Sequence, residues 1–317
     1  MIVMNKLNEK KIIELMNKKR RKVISEDVEI FRLGNEQCAV CVDTLVESTD
    51  IPKGSRLSDI SRKSVVSSVS DFAAKGIIPK FCIISVTIPK TFSKNQITKM
   101  ATGFRKACNE FSLEFLGGDT NEGKEIVIHV VLFGKAGKIV PRNGARHGDV
   151  IITTGPFGYT SSALQILLKK RKSTKKFSKL AKTKFFHPIP RLKFGIACKN
   201  LLSSSIDSSD GLSSCLQELS TSSKKQFMVT KFPVKDDVRD FVTMNKLDLK
   251  DIILNGGEEF ELVCTLPSKN LEKVKRNAKK LKVDLYEIGI VTKGKHVVLE
   301  NDTGQSRIID GGWLHFQ

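Results

Sequence analysis

No run of apolar residues in this 317-residue chain approaches the roughly 20 needed to cross a bilayer. The opening residues Met1 to Lys6 lead into no apolar signal-peptide core, so a cytoplasmic protein is expected. Histidine is scarce: the five present are spread out without ligand spacing, which argues against a zinc site. The seven cysteines are an odd number, and Cys82, Cys108, Cys198 and Cys264 sit in apolar segments. That pattern predicts buried reduced thiols rather than a disulfide framework. Cys38 and Cys41 spell CxxC, but on a strand they face opposite ways, which excludes a shared metal or a redox pair. Acid is in short supply, 34 Asp+Glu against 54 Lys+Arg, for a formal net charge of +20. Such a charge favours polyanions. Much of it lies in Lys169 to Lys184 (KKRKSTKKFSKLAKTK), which lacks the aromatic residues of a specific single-strand binder and reads as a solvated, mobile basic loop. Nucleic acid is therefore not the expected partner.

What is present is a foldable chain. Hydrophobic residues make up 40%, enough to exclude global disorder, and the length allows two modest domains or one large one. Helices are expected over residues 8–22, 61–76, 97–111, 159–169 and 191–202. Strands are expected over 38–46, 81–88, 125–134, 149–154, 226–232, 260–265 and 283–290. Strands and helices alternate, giving an α+β architecture. The GARHG segment at 144–148 marks a boundary between a first domain, 1–145, and a second, 146–317.

The scarce acids are not scattered. Asp27, Asp43, Asp71, Asp119, Asp207 and Asp210 each sit at the edge of an apolar or glycine-rich run. Hard oxygen ligands drawn from distant segments suit Mg²⁺, which usually arrives with phosphates, so the reading is a nucleotide-dependent phosphoryl-transfer enzyme. Gly118 to Lys124 fits G-x4-G-K, but Glu125 follows where a hydroxyl should stand, and a strand follows where a P-loop needs a helix. The match is rejected. Within it, Gly117-Gly118-Asp119-Thr120 is either a close backbone approach to a ligand or a tight turn. Asp207-Ser208-Ser209-Asp210-Gly211-Leu212 precedes a helical pattern; either Ser209 or Asp210 caps that helix, or the two acids serve phosphate and metal. Asn255-Gly256-Gly257-Glu258-Glu259-Phe260-Glu261-Leu262 is a further glycine-acid cluster, readable also as a hairpin turn. Arg142 and Arg191 are candidates for phosphate contacts.

Together with Asp43-Thr44-Leu45-Val46-Glu47, Val69 to Gly76 and the closing Gly312 to Phe316, these motifs occur in the order and spacing of one family. From about Val23 to Phe316 the chain resembles the thiamine-monophosphate kinases, of the superfamily that includes aminoimidazole ribonucleotide synthetase. The resemblance implies an N-terminal α+β domain that forms a homodimer through its sheet, a C-terminal α+β domain, and an active site between them. It implies that Asp27, Asp43, Asp71, Asp119, Asp207 and Asp210 bind several Mg²⁺ ions around ATP, and that Gly118, Asp119, Arg142 and Ser209 contact the nucleotide. Asp119, Asp210 and Arg142 would be the catalytic set, and Asp50, Glu259 and Trp313 would meet thiamine monophosphate. The chain departs from the family pattern at Ser25-Glu26, Cys41, Val42, Asp50-Ile51 and Glu259-Phe260, which alters the acceptor pocket more than the nucleotide acids. Two alternatives stay open: the same fold with another small phosphorylated acceptor, or a non-catalytic polyanion-binding relative.

Overall fold

The computed structural model describes residues 26–301 and 304–312, with Ile12, Leu15 and Met16. Trp313 and nearly all of the helix expected over 8–22 lie outside the described residues. The first half builds β1 (Glu29–Leu33), β2 (Glu36–Val46), a short α1 (Glu47–Asp50), α2 (Leu57–Lys75), β3 (Pro79–Pro89), α3 (Lys94–Glu110), β4 (Glu114–Gly123) and β5 (Val127–Lys135). The strands form a five-stranded sheet in the order β1-β2-β5-β3-β4, antiparallel except for the β3–β4 pair.

Strand alternation explains which face is covered. On β2, Ala39, Cys41 and Leu45 are buried while Val42 between them is exposed. The buried side meets α2, whose serines 61, 64 and 68 and alanines 73 and 74 permit close packing. α2 stops at Gly76, which takes a left-handed φ of 65° and accepts no side chain, because a Cβ would lie 2.6 Å from Lys199 Cβ. α3 starts with a reciprocal capping box between Ser93 and Gln96. Among residues 26–301 and 304–312, no helix packs on the opposite face of the sheet.

β4 was not legible in the sequence. Gly117-Gly118-Asp119-Thr120 is no turn but part of this edge strand. Gly117 takes φ +141° at an irregularity in the pairing, and a Cβ on Gly118 would stand 1.7 Å from the Ile84 carbonyl oxygen. Gly118 therefore serves the close approach of β3, and Gly117 a backbone angle that side chains rarely adopt.

The second half holds β6 (Asp149–Thr153), α4 (Tyr159–Lys169), α5 (Lys175–Phe186), α6 (Leu192–Cys198), β7 (Ser204–Asp207), α7 (Leu212–Ser223), β8 (Gln226–Val229), α8 (Asp236–Met244), α9 (Leu249–Leu254), β9 (Leu262–Pro267), α10 (Leu271–Lys280), β10 (Tyr286–Thr292), β11 (Val297–Asn301) and β12 (Gly304–Arg307). Its seven-stranded sheet runs β12-β11-β8-β10-β6-β9-β7, antiparallel except for β11–β8. From Lys175 onward the basic stretch is a helix and not a mobile loop. Thr174 caps α5 by accepting the Phe177 N–H, and Phe177, Ala181 and Phe185 recur every fourth residue and are buried, leaving the lysines outward. The density of lysine masked that stripe.

α2 ties the halves together. It packs on its own sheet and also against α6 and β7. A Cβ on Gly195 of α6 would fall 1.9 Å from the Ala73 carbonyl oxygen, so the two helices meet backbone to backbone. Both ends of the candidate site are thus carried on one rigid contact.

Candidate functional site

Four of the acids meet where α2 crosses between the sheets. Asp27 comes from the segment before β1, Asp43 from the inward face of β2, Asp71 from α2 and Asp207 from the end of β7. Ligand atoms of Cys41, Asp43 and Asp71 lie within 4.8 Å of one another, as do those of Asp27, Asp71 and Asp207. Burial raises Asp43, and raises Asp71 well above the carboxylate range, where the charges of Asp43, Asp207 and Asp27 push it further. Burial, then the charge of Asp27, pushes Asp207 up to about 8. Asp27 differs: burial pushes its carboxyl up, but Lys75 and Arg142 outweigh that and hold it below the usual value. The Arg142 guanidinium donates to Asp27 Oδ1, and its backbone N–H donates to Glu26. Asp43 Oδ2 is enclosed and has no hydrogen-bond partner among the described residues. Oxygen donors crowded together with an orphaned acceptor fit a hard divalent cation.

The other two acids do not join this group. Asp210 and Ser209 are exposed on the loop just beyond β7. That loop is zipped to the second glycine-acid cluster: Ser208 N donates to the Glu261 carbonyl (2.8 Å), Phe260 N to Ser208 (2.9 Å) and Glu258 N to Ser209 (2.7 Å). The segment is therefore a paired loop and not a free hairpin, with Glu258 and Phe260 both at positive φ. Gly211 is the N-cap of α7 and no side chain caps it, which removes the capping explanation for Ser209 and Asp210. Asp119 lies across the sheet. It pairs with Ser85, and Ser85 with His129, in the row that faces away from buried Cys82, Ile84 and Val130. Asp43 pairs with Val130 and faces the helices. Asp119 and Gly118 are exposed, and Asp119 accepts from Asn121 Nδ2 at 2.9 Å.

Two further places carry other residues singled out in the sequence. A hollow between the halves is lined by Leu45, Asp50, Ile51, Asp59, Lys63 and Phe185, among others. Asp50 there accepts the Val46 N–H (2.7 Å). Lys63 pairs with Glu258 at 2.5 Å and stands 3.9 Å over the Phe185 ring. Beside it, Arg191 forks onto Glu261, and Glu259 is buried, accepting from Thr160 Oγ1 (2.5 Å) and Gly158 N (3.2 Å). Burial pushes Glu259 up to about 8. Lys75 and Lys63 were missed in the sequence, and Glu261 was singled out there only as one member of a glycine-acid cluster. Lys75 shares its side of α2 with Phe72, Asp71, Ser68 and Ser64, a mixed face that gives little warning, and a lysine in a last helical turn ordinarily reads as a solvated cation.

The two-sheet architecture with acids at the join defines a class. Residues 25–136 match the AIR synthase related protein, N-terminal domain, and residues 146–301 match the AIR synthase related protein, C-terminal domain. The fold is that of a solved structure of AaThiL complexed with AMPPCP and TMP, at TM-score 0.88 and 24% identity, covering 100% of this chain and 99% of that one. A thiamine-monophosphate kinase of Nitrosopumilus maritimus is 47% identical over 314 residues, 99% of this chain and 100% of its relative. One of Pyrococcus horikoshii is 31% identical, over 99% and 98% of the two chains. The chain belongs to the thiamine-monophosphate kinase family.

Proposed function

We propose that the chain transfers the γ-phosphoryl group of ATP to the phosphate of thiamine monophosphate, yielding thiamine diphosphate and ADP. The observation that carries the reading is the half-buried Asp71 at the join of the two halves, whose ligand atom lies within 4.8 Å of that of Asp43 in one group and of those of Asp27 and Asp207 in another, in a family whose relatives carry that name. The attacking atom is an oxygen of the acceptor phosphate, already anionic, so no strong base is needed, in keeping with a group of acids that holds no histidine. The barrier is repulsion between two polyanions. Mg²⁺ held by Asp43, Asp71 and Asp207 would neutralise phosphate charge there. Arg142, fixed by Asp27, adds a permanent positive charge, and Ser209 and Asp210 border the same end of β7. In this reading the acceptor meets the side of the site bordered by Asp50, Lys63 and Glu259.

The working unit in this reading is a homodimer in the cytosol. The face of the first sheet away from α2 offers an apolar row, Val42–Val131–Ile83, beside a polar row, Thr44–His129–Ser85–Asp119. A second copy against that face would cover the apolar row and give Asp119 and Gly118 a partner-completed site, the condition under which they can reach nucleotide. Purified protein incubated with ATP, Mg²⁺ and thiamine monophosphate should form thiamine diphosphate and ADP in equal amounts, and a chelator should stop it. Mg²⁺-dependent nucleotide binding without that product would move the acceptor to another small phosphorylated molecule.

A further inference from the structure

Lys75 closes α2, where a basic side chain usually turns outward into water. It turns inward instead and is 0% exposed. Its ammonium lies 2.5 Å from Glu26 Oε2, 2.6 Å from Asp27 Oδ2, and donates to the Ser205 carbonyl oxygen at 3.1 Å. Three oxygens, from the segment before β1 and from β7, thus meet a group with three protons. Burying an ammonium is costly unless carboxylates compensate it, and here two do. The remaining Asp27 oxygen, Oδ1, takes the Arg142 guanidinium. Asp27 thus has a side-chain cation against each oxygen, Arg142 by a hydrogen bond to Oδ1 and Lys75 by an ion pair alone to Oδ2. Asp43, at the other end of the same group, keeps an enclosed oxygen with no hydrogen-bond partner among the described residues.

We infer that Lys75 is a built-in cation of this carboxylate site, filling at Asp27 a position that a divalent ion would otherwise occupy. Asp27 is then a positioning residue that holds Lys75 and Arg142, and divalent ions enter at the Asp43–Asp71–Asp207 end. The consequence is a lower ion count than the number of acids suggests, with one charge supplied covalently. Lysine suits this role as a compact ammonium on a long stem that can cross the packed end of α2. The inference rests on the metal-dependent reading above, and the test separates the two.

Mn²⁺ binding to the full chain is titrated by electron paramagnetic resonance, and thermal midpoints are recorded in chelator and in Mn²⁺. Lys75→Met removes the charge at nearly constant length. It should bind one more Mn²⁺ per chain than the unaltered protein, and its lowered midpoint in chelator should recover when Mn²⁺ is added. Asp27→Asn should leave the Mn²⁺ count of the unaltered protein unchanged, and this arm decides alone if Lys75→Met does not fold. An unchanged count in Lys75→Met with a stability deficit indifferent to Mn²⁺, or a lower count in Asp27→Asn, overturns the inference. Unaltered protein that binds Mn²⁺ beside a Lys75→Met that gains none would sink the lysine's role alone. Unaltered protein that binds none, beside a variant that binds one, would uphold the lysine and overturn the metal-dependent reading.

Discussion

Replacing Glu259 by glutamine should reshape the pH dependence of stability. The folded chain holds the Glu259 proton up to about pH 8, where burial has moved it from an ordinary value of 4.5. A folded state that binds a proton more tightly than the unfolded state gains stability that is complete below the unfolded value. That stability is lost as pH rises through the folded one. At about 1.4 kcal/mol per pH unit, the loss between pH 4.5 and pH 8 is on the order of 4–5 kcal/mol. Glutamine keeps an oxygen to accept from Thr160 Oγ1 and Gly158 N and never ionises. Its amide NH₂ takes the place of Oε2, which has no hydrogen-bond partner among the described residues, at a cost of about 1–3 kcal/mol that does not vary with pH. Urea unfolding in chelator at pH 5, 7 and 9 reads the difference. The variant should be weaker by up to about 2 kcal/mol at pH 5 and stronger by about 2–4 kcal/mol at pH 9. With a slope of about 3 kcal/mol/M, that is a midpoint gain of roughly 1 M. Parallel pH curves for the two proteins would refute a neutral, buried Glu259.

Other perturbations have equally definite outcomes. Asp207 is also raised to about 8, so without divalent ions its stabilising contribution should fade as pH rises through 8, and Mg²⁺ should raise the thermal midpoint more at pH 8 than at pH 6. An equal Mg²⁺ shift at the two pH values would remove Asp207 from the ion site. Gly118→Ala drives a methyl into the Ile84 carbonyl and should cost about 1–3 kcal/mol in chemical denaturation through the β3–β4 pair; a neutral result would mean that β4 is not paired there. Phe185→Ala should cost about 3–5 kcal/mol, while Lys176→Ala on the outer side of α5 should cost less than about 0.5; equal small effects would restore the mobile-loop reading of the basic stretch. Asp210→Asn should lower turnover by orders of magnitude with circular dichroism unchanged, and near-normal turnover would take Asp210 out of the site.

Most of the helices and strands that place the acids were legible because their periods are clean. β2 alternates between sides, α2 presents small residues on one side, and α7 follows a glycine with Leu212, Cys215, Leu216 and Leu219 facing inward. β4 was illegible because an edge strand that buries neither face has no apolar alternation, and its two glycines mimic a turn. α5 was hidden by lysine count. The site was half legible: the acids announce themselves by their glycine and serine neighbours, but which sheet face each occupies depends on register. Asp43 and Asp119 both sit in strands, and only the pairing with Val130 on one side and Ser85 on the other sends them to opposite faces. Lys75 could not be read as internal, since its partners Glu26, Asp27 and Ser205 come from segments far away in the chain.

The account turns on the enclosed acids being the seat of phosphoryl transfer. The most direct measurement is steady-state formation of thiamine diphosphate from ATP and thiamine monophosphate by the unaltered chain and by Asp207→Asn, at matched Mg²⁺ and with matched circular dichroism. The account predicts product from the unaltered chain and a loss of at least a hundredfold in the variant. Turnover within a few-fold of the unaltered chain in Asp207→Asn would contradict it.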